Sequence, residues 1–298
     1  MFDKKCLRKS IDCNQLWRYT GDGNRTMANT PDFANPPIVE LVLGAQFSPL
    51  TRLTSGHFGL FWKELGEDDW TEAEDAPPIG DQFELFDCPR WRIPAGLQLR
   101  IEPVRLPGRF ILRHKSQDRL VQIQATRFHL NWRKRAGFYP SYKRLIDEFE
   151  EMFARFETFV KQAKLGPLIL NQWELTYIDA FPAGEDWSTP ADWNKLLSGL
   201  FGPLFATDPL GIVLEHRAAE WSYEIFPKRG RLHIAAGPGQ VGESRQDALL
   251  LRTTARGPIG KGGVETLRAG LDLGHEVAVG AFLRIVSDEA KKRWGTKS

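Results

Sequence analysis

The stretch from Arg119 to Pro140 constrains the fold more than any other part of the chain, because its apolar and polar residues alternate. A period of two is typical of a β-strand with one buried face. Apolar side chains occupy odd positions up to Ala125 and even positions from Phe128, so the pattern predicts one inserted residue, a β-bulge. With that bulge, one face carries the apolar set: Val121, Ile123, Ala125, Phe128, Leu130 and Trp132.

The opposite face of this strand is the candidate binding surface, although such a polar row could also be simply solvated. Glu40 and Glu174 occupy equivalent positions in the two halves of the chain, opposite the apolar residues. They can pair with arginines of neighbouring strands, as structural cross-strand partners or as part of a site. The candidate binding residues are therefore Gln122, Gln124, Arg127, His129, Asn131, Arg133, Glu40 and Glu174.

Both halves of the chain follow one order of elements: a strand, a helix, several antiparallel strands and a helix. The first strand, near residues 38–47, and its counterpart at 171–181 share Glu, Leu and Phe at aligned positions. We predict an α+β fold of duplicated β-α-β(3-4)-α units, similar in topology to the helix-grip and TATA-binding-protein-like folds. This fold has a curved antiparallel sheet with helices on one face. The predicted domains are a disordered or non-native leader at 1–34, a first repeat at 35–166 and a second at 167–298.

Other elements are predicted from local patterns. Apolar residues at helical spacing predict a long amphipathic helix whose stripe belongs to the core: Leu145, Phe149, Met152, Phe156 and Phe159. The acidic segment at 64–75 is expected to be a loop that ends the helix before it. Strands are expected at 83–86, 97–103, 109–114, 211–217 and 264–273, and a closing helix at 275–293.

Composition limits the class of protein. The chain has 298 residues, of which 42% are apolar and 26% charged, as in globular proteins. No apolar run approaches the roughly 20 residues that cross a bilayer, and the first residues lack the apolar region of a secretory signal. Three cysteines are too few for a disulfide framework. We expect a cytoplasmic protein with no membrane association.

The charge is unevenly distributed along the chain. Residues 90–135 contain twelve Arg or Lys against only Glu102 and Asp118, whereas residues 64–75 are strongly acidic. A basic, strand-rich segment is compatible with an anionic partner such as nucleic acid. Pairing with the acidic segment would instead neutralise it within the chain.

The chain shows no complete motif for catalysis, a cofactor or a metal. The G-x-G-x-x-G string at 237–242 follows a strand, but neither a helix nor an acidic residue follows it as a dinucleotide site requires, so it predicts a hairpin loop. The six histidines show no H-E-x-x-H spacing. No serine lies in a G-x-S-x-G elbow. We therefore assign no catalytic residue, cofactor or metal ligand.

Several segments together resemble a sporadically distributed family of uncharacterised bacterial proteins. The matching signatures are NPPIVELVLGAQF at 35–47, HFGLFW at 57–62, LVQIQATRFHLNWRK at 120–134, YPSY at 139–142 and WELTYI at 173–178. The resemblance implies no particular activity. Patchy distribution is typical of genes in mobile elements and in phage-defence or toxin–antitoxin cassettes.

Two classes of function fit these observations. The leading hypothesis is a non-enzymatic binding or regulatory component that holds a protein or nucleic-acid partner on an open sheet face. The alternative is a hydrolase or nuclease acting on a phosphate-containing substrate. Its site would use Glu40, Arg127, His129 and Arg133, with the carboxylate as base and the arginines stabilising developing charge. Binding of nucleic acid alone predicts a steep dependence of affinity on salt.

Overall fold

In this computed structural model, nine strands form one antiparallel sheet. Successive side chains along each strand point to opposite faces of the sheet. The structure describes residues 33, 35–86, 108–135, 139–201 and 213–295. The strands are β1 (Ile38–Phe47), β2 (Glu72–Ala76), β3 (Arg109–Arg113), β4 (Arg119–Gln124), β5 (Arg127–Arg133), β6 (Leu170–Pro182), β7 (Ala219–Ile225), β8 (Gly230–Val241) and β9 (Gln246–Pro258). Their order across the open sheet is β2-β3-β4-β5-β1-β6-β9-β8-β7.

Helices complete the α+β fold, and the predicted fold class is confirmed at this level. Within the described residues they are α1 (Ser55–Leu65), α2 (Tyr142–Gln162), α3 (Trp193–Leu196), α4 (Val264–Ile285) and α5 (Asp288–Trp294). Helix α4 contacts β6 and β9, while α2 contacts β5. No helix in these ranges is both long and apolar enough to span a membrane.

The predicted apolar stripe of α2 forms the core with the apolar side of the sheet. Phe128 of β5 is fully buried, and its ring centroid lies 5.1 Å from that of Phe156 and 5.5 Å from that of Phe153. Phe47 of β1 lies 5.8 Å from Phe156. The stripe is therefore core, as predicted, with Met152 only partly buried at its edge.

The predicted β-bulge is wrong, because the stretch after Arg119 is a hairpin of two strands. Gln124 of β4 pairs with Arg127 of β5, and only Ala125 and Thr126 connect them. Cross-strand partners in an antiparallel pair point to the same side of a sheet. The predicted sorting into an apolar and a polar face is therefore correct, although its cause is different.

The hairpin turn lacks the glycine or asparagine that usually marks one. Tertiary hydrogen bonds hold it instead: the Leu50 N–H donates to Ala125 O at 2.9 Å, and the Phe47 N–H donates to Thr126 O at 3.0 Å. Both turn residues are buried. These contacts come from a distant segment, which explains why the local pattern did not reveal the turn.

Three other predictions about elements are also wrong. Residues 83–86, predicted as a strand, lie outside any strand. Residues 264–273 are helical, and their buried residues, among them Leu267 and Leu271, recur at a helical step of four. The acidic segment is not a loop throughout, because Glu72–Ala76 is an edge strand paired with β3. The G-x-G-x-x-G string lies in the β8–β9 hairpin, but only Gly242 is in its turn, and residues 237–241 belong to strand β8 and not to the predicted loop.

Some predictions fall wholly or partly outside the described residues. The predicted strand at 97–103 and the leader at 1–34 are in this group, except for Phe33 of the leader. The Phe33 ring is buried 5.8 Å from the ring of Trp294. Of the predicted strand at 211–217, the described residues from 213 onwards are not in a strand.

Trp173 of β6 sets how closely α4 approaches the sheet. A Cβ atom on Gly270 would lie 2.2 Å from Trp173 Cδ1, and one on Gly274 would lie 2.9 Å from Trp173 Cζ3. Such distances are too short for non-bonded carbon atoms, so only glycine fits at these positions. The indole is buried, so displacing it would disturb the close packing of the core around it.

We expect Gly270→Ala to destabilise the fold by about 1–3 kcal/mol, because the added methyl group overpacks the Trp173 contact. The matched control is Gly280→Ala in the same helix, where the nearest atom is 3.9 Å away. This control should be neutral or stabilising by up to about 1 kcal/mol, because alanine favours helix. Urea unfolding of both variants measures the difference. Equal effects would contradict this account of the packing.

Candidate binding site on the polar sheet face

The structure brings the predicted site residues together on one face of the sheet but buries most of them. The predicted site residues on β4 and β5 are each at most 7% exposed, and they are Gln122, Gln124, Arg127, His129 and Asn131. Arg133 is 38% exposed at the side chain, and Glu40 and Glu174 are partly buried. The expectation of an open polar face is therefore wrong for the centre of the sheet.

At one end of the face, hydrogen bonds connect a row of polar side chains, the last of which is Glu40. Arg109 donates to Gln122 Oε1, and Gln122 Nε2 donates to Asn131 Oδ1, each at 2.7 Å. Asn131 Nδ2 donates to Glu40 Oε1 at 2.5 Å. Arg133 Nε lies 3.1 Å from the same oxygen as an ion pair. Glu40 is therefore a cross-strand partner of Arg133, one of the two roles predicted for it.

At the centre of the face, Glu174 links two arginines from opposite sides. Its Oε2 lies 3.2 Å from Arg127 Nη1 and 3.3 Å from Arg256 Nη1. Burial alone would raise the pKa of Glu174, but the guanidinium groups of Arg256 and Arg127 help to lower it. Glu174 is thus an anion that stabilises cations of β5 and β9 at once.

His129 is buried between these groups because β1 has a glycine opposite it. A Cβ atom on Gly44 would lie only 2.4 Å from His129 Cδ2, so the ring occupies the space of a side chain. Burial lowers the pKa of His129 to about 4. The imidazole is therefore neutral at physiological pH.

An extended segment of the chain, residues 79–86, covers the centre of this face, and we refer to it as the strap. At one end, the Ile79 N–H donates to Gln124 Oε1 at 2.9 Å, and Gln124 Nε2 donates to Ile79 O at 2.8 Å. Next, Arg127 Nη2 donates to Gly80 O at 3.0 Å. These side chains therefore bind the main chain of the strap.

A second glutamine, Gln172 of β6, binds the strap main chain further along. Its Nε2 donates to Gln82 O, and its Oε1 accepts a hydrogen bond from the Glu84 N–H at 3.0 Å. An amide that both donates and accepts in this way recognises an extended backbone regardless of its side chains. The sheet face thus holds a polypeptide segment much as a peptide-binding groove does.

The acidic end of the strap lies in a pocket formed by β8 and β9. Glu84 is only 4% exposed at its side chain and lies 3.1 Å from Arg231, 3.2 Å from Arg256 and 2.7 Å from His233 Nε2. Burial alone would raise the pKa of Glu84, whereas His233, Arg256 and Arg231 lower it. Arg231 Nη2 also donates to Leu85 O at 2.9 Å.

Sequence reasoning missed this half of the site, which includes Gln172, Arg231, His233, Arg256 and Glu84. Period-two alternation in β8 and β9 could have indicated which arginines share a face. It could not have indicated that Glu84 reaches them, because that contact joins residues 147 positions apart. Within the described residues, no cluster of His, Cys, Asp or Glu could hold a metal ion.

Comparisons with known proteins add little. No protein-family model matches the chain, and no curated protein matches it. Among solved structures, it is similar to DynU16, a protein in the dynemicin biosynthetic locus, at 12% identity and a TM-score of 0.24. That match covers 83% of this chain and 98% of DynU16. A likeness at this level carries no argument about fold or function.

We expect His129 to make stability dependent on pH. The folded state keeps it neutral down to about pH 4, whereas the unfolded chain binds a proton near 6.5. The contribution of His129 to the free energy of unfolding is therefore most favourable above pH 6.5. It decreases by about 3 kcal/mol in total as the pH falls towards 4, because the unfolded chain then binds a proton at His129 that the folded state does not. Urea unfolding of wild-type and His129→Gln protein between pH 7 and 4 measures this difference. Parallel stability curves would contradict it.

Proposed function

We propose that this protein is a non-enzymatic binding component that holds an extended segment of a protein partner across the polar face of its sheet. The observation that carries the proposal is the strap, whose main chain is bound by Gln124, Arg127 and Gln172. Main-chain hydrogen bonds with side-chain pockets at intervals are a recurring mode of peptide recognition.

The charges on the face favour a protein partner over nucleic acid. A nucleic-acid surface needs cations that are available to phosphates. Here Arg127, Arg231 and Arg256 are each engaged by a carboxylate of Glu84 or Glu174, and all three are buried. The same pairing favours binding over phosphoryl chemistry, because charge stabilisation in a transition state requires donors aimed at the substrate.

We also infer that the two halves of the chain are structural repeats related by a two-fold axis at the sheet centre. The order of strands supports this, since β1 and β6 are central neighbours and the remaining strands of each half follow outwards. Glu40 is paired with Arg133 across β1 and β5, and Glu174 is paired with Arg256 across β6 and β9. The two conspicuous carboxylates thus have matching partners, which favours the duplicated helix-grip or TATA-binding-protein-like topology.

The proposal predicts a protein partner whose contacts map to the polar face. Cross-linking mass spectrometry of the purified native complex should place partner cross-links on the segments that border the strap and on β7–β9. A complex reconstituted from the two purified proteins should survive nuclease treatment and weaken only modestly between low and high salt. The family that the chain resembles is sporadically distributed, as genes in such cassettes are, so the products of neighbouring genes are the first partners to test.

A matched pair of variants checks the location. Arg231→Ala, which removes a contact to the bound segment, should lower partner affinity. Arg284→Ala, at an exposed arginine of helix α4, should leave it unchanged. Cross-links confined to the helix side would contradict the proposal. Nuclease-sensitive binding with a steep salt dependence would favour nucleic acid instead.

A further inference from the structure

The sheet face binds the main chain of an extended segment, and the pocket around Glu84 adds selectivity for one kind of side chain. We propose that Arg231, His233 and Arg256 form a carboxylate pocket for a glutamate of the partner segment, and that the strap occupies this pocket until such a segment displaces it. The inference rests on the proposed function and specifies the chemistry of the partner.

The first step of the argument is charge balance. Arg127, Arg231 and Arg256 lie together with Glu84 and Glu174, and each guanidinium has a carboxylate within 3.3 Å. Removal of the strap alone would leave three neighbouring guanidinium groups with the single carboxylate of Glu174. Like charges held this close together repel one another when too few anions pair with them. The strap can therefore leave readily only when another anionic group replaces Glu84.

The second step is register. The Glu84 N–H is bound by Gln172, and the carbonyl of the next residue, Leu85, is bound by Arg231. These main-chain contacts on both sides of the glutamate fix its position relative to the pocket. The Phe86 ring lies 5.1 Å from the Arg231 guanidinium, within cation–π range. The pocket therefore suits a glutamate followed, two residues later, by an aromatic residue.

The third step is an unsatisfied group on the face that binds the strap. Gln46 is only 2% exposed, and within the described residues neither atom of its amide has a hydrogen-bond partner. It pairs in register with Arg127 on one side and Gln172 on the other, between two residues that hold the strap. Buried polar groups are nearly always satisfied. A partner segment with a polar side chain above Gln46 would therefore bind better than the strap, which makes displacement favourable.

A peptide experiment on the full chain tests the pocket. The protein is Glu84→Gln, which keeps the shape of the strap but removes its charge. The probe is a fluorescent synthetic peptide with the sequence of residues 77–86, and the control peptide carries Gln in place of its glutamate. The glutamate peptide should bind about tenfold more tightly, since hydrogen bonds to charged groups are stronger than neutral ones. Fluorescence anisotropy measures both affinities.

The possible outcomes separate the two proposals. Equal affinity of the two peptides overturns the carboxylate pocket but leaves the proposed function in place. Absence of binding by either peptide contradicts the proposed function itself. Tighter binding of a third peptide, with phosphoserine in place of the glutamate, would overturn the assignment of a carboxylate as the ligand. Loss of the preference in Arg256→Ala, with its retention in Arg284→Ala, would support the pocket at the named residues.

Discussion

The pairing of β1 with β6 at the centre of the sheet is the interaction on which the rest of the structure depends. Its register sets Leu43 against Leu175 and Gly44 against Glu174, so one side is apolar and the other polar along its length. The apolar side binds the helices that form the core. The polar side receives matching polar residues from β5 and β9, and the two halves of the chain thereby build one continuous face.

The buried arginines of that polar face need carboxylates to pair with them. Arginines buried side by side are tolerated only when carboxylates pair with them, and breaking such a pair costs several kcal/mol. Glu174 belongs to the sheet, but Glu84 comes from the strap, so the sheet alone does not complete its own charge balance. The arrangement gives a face that favours an acidic, extended segment. It also explains why the Glu84 carboxylate of the strap lies among the arginines of β8 and β9.

Sequence reasoning predicted the two faces of β4 and β5 and the core stripe of α2, because side-chain periodicity depends only on local geometry. The same reasoning misassigned the hairpin as a bulge, since Ala125 and Thr126 carry no turn signal and are held by residues of another segment. Sequence reasoning predicted only one half of the site. Gln122, Gln124, Arg127, His129 and Asn131 do cluster, but their burial depends on a strap that binds over long distances in sequence, and periodicity contains no information about that contact.

Hydrogen exchange of the strap amides tests the central claim most directly. The Ile79 and Glu84 N–H groups are bound by glutamine side chains of the sheet, so each exchanges only when the strap opens. If the strap is an exchangeable occupant of the polar face, its opening free energy should be several kcal/mol below that of amides in β1, which report global unfolding. The same opening free energy for both would contradict the account and make the strap a permanent part of the fold.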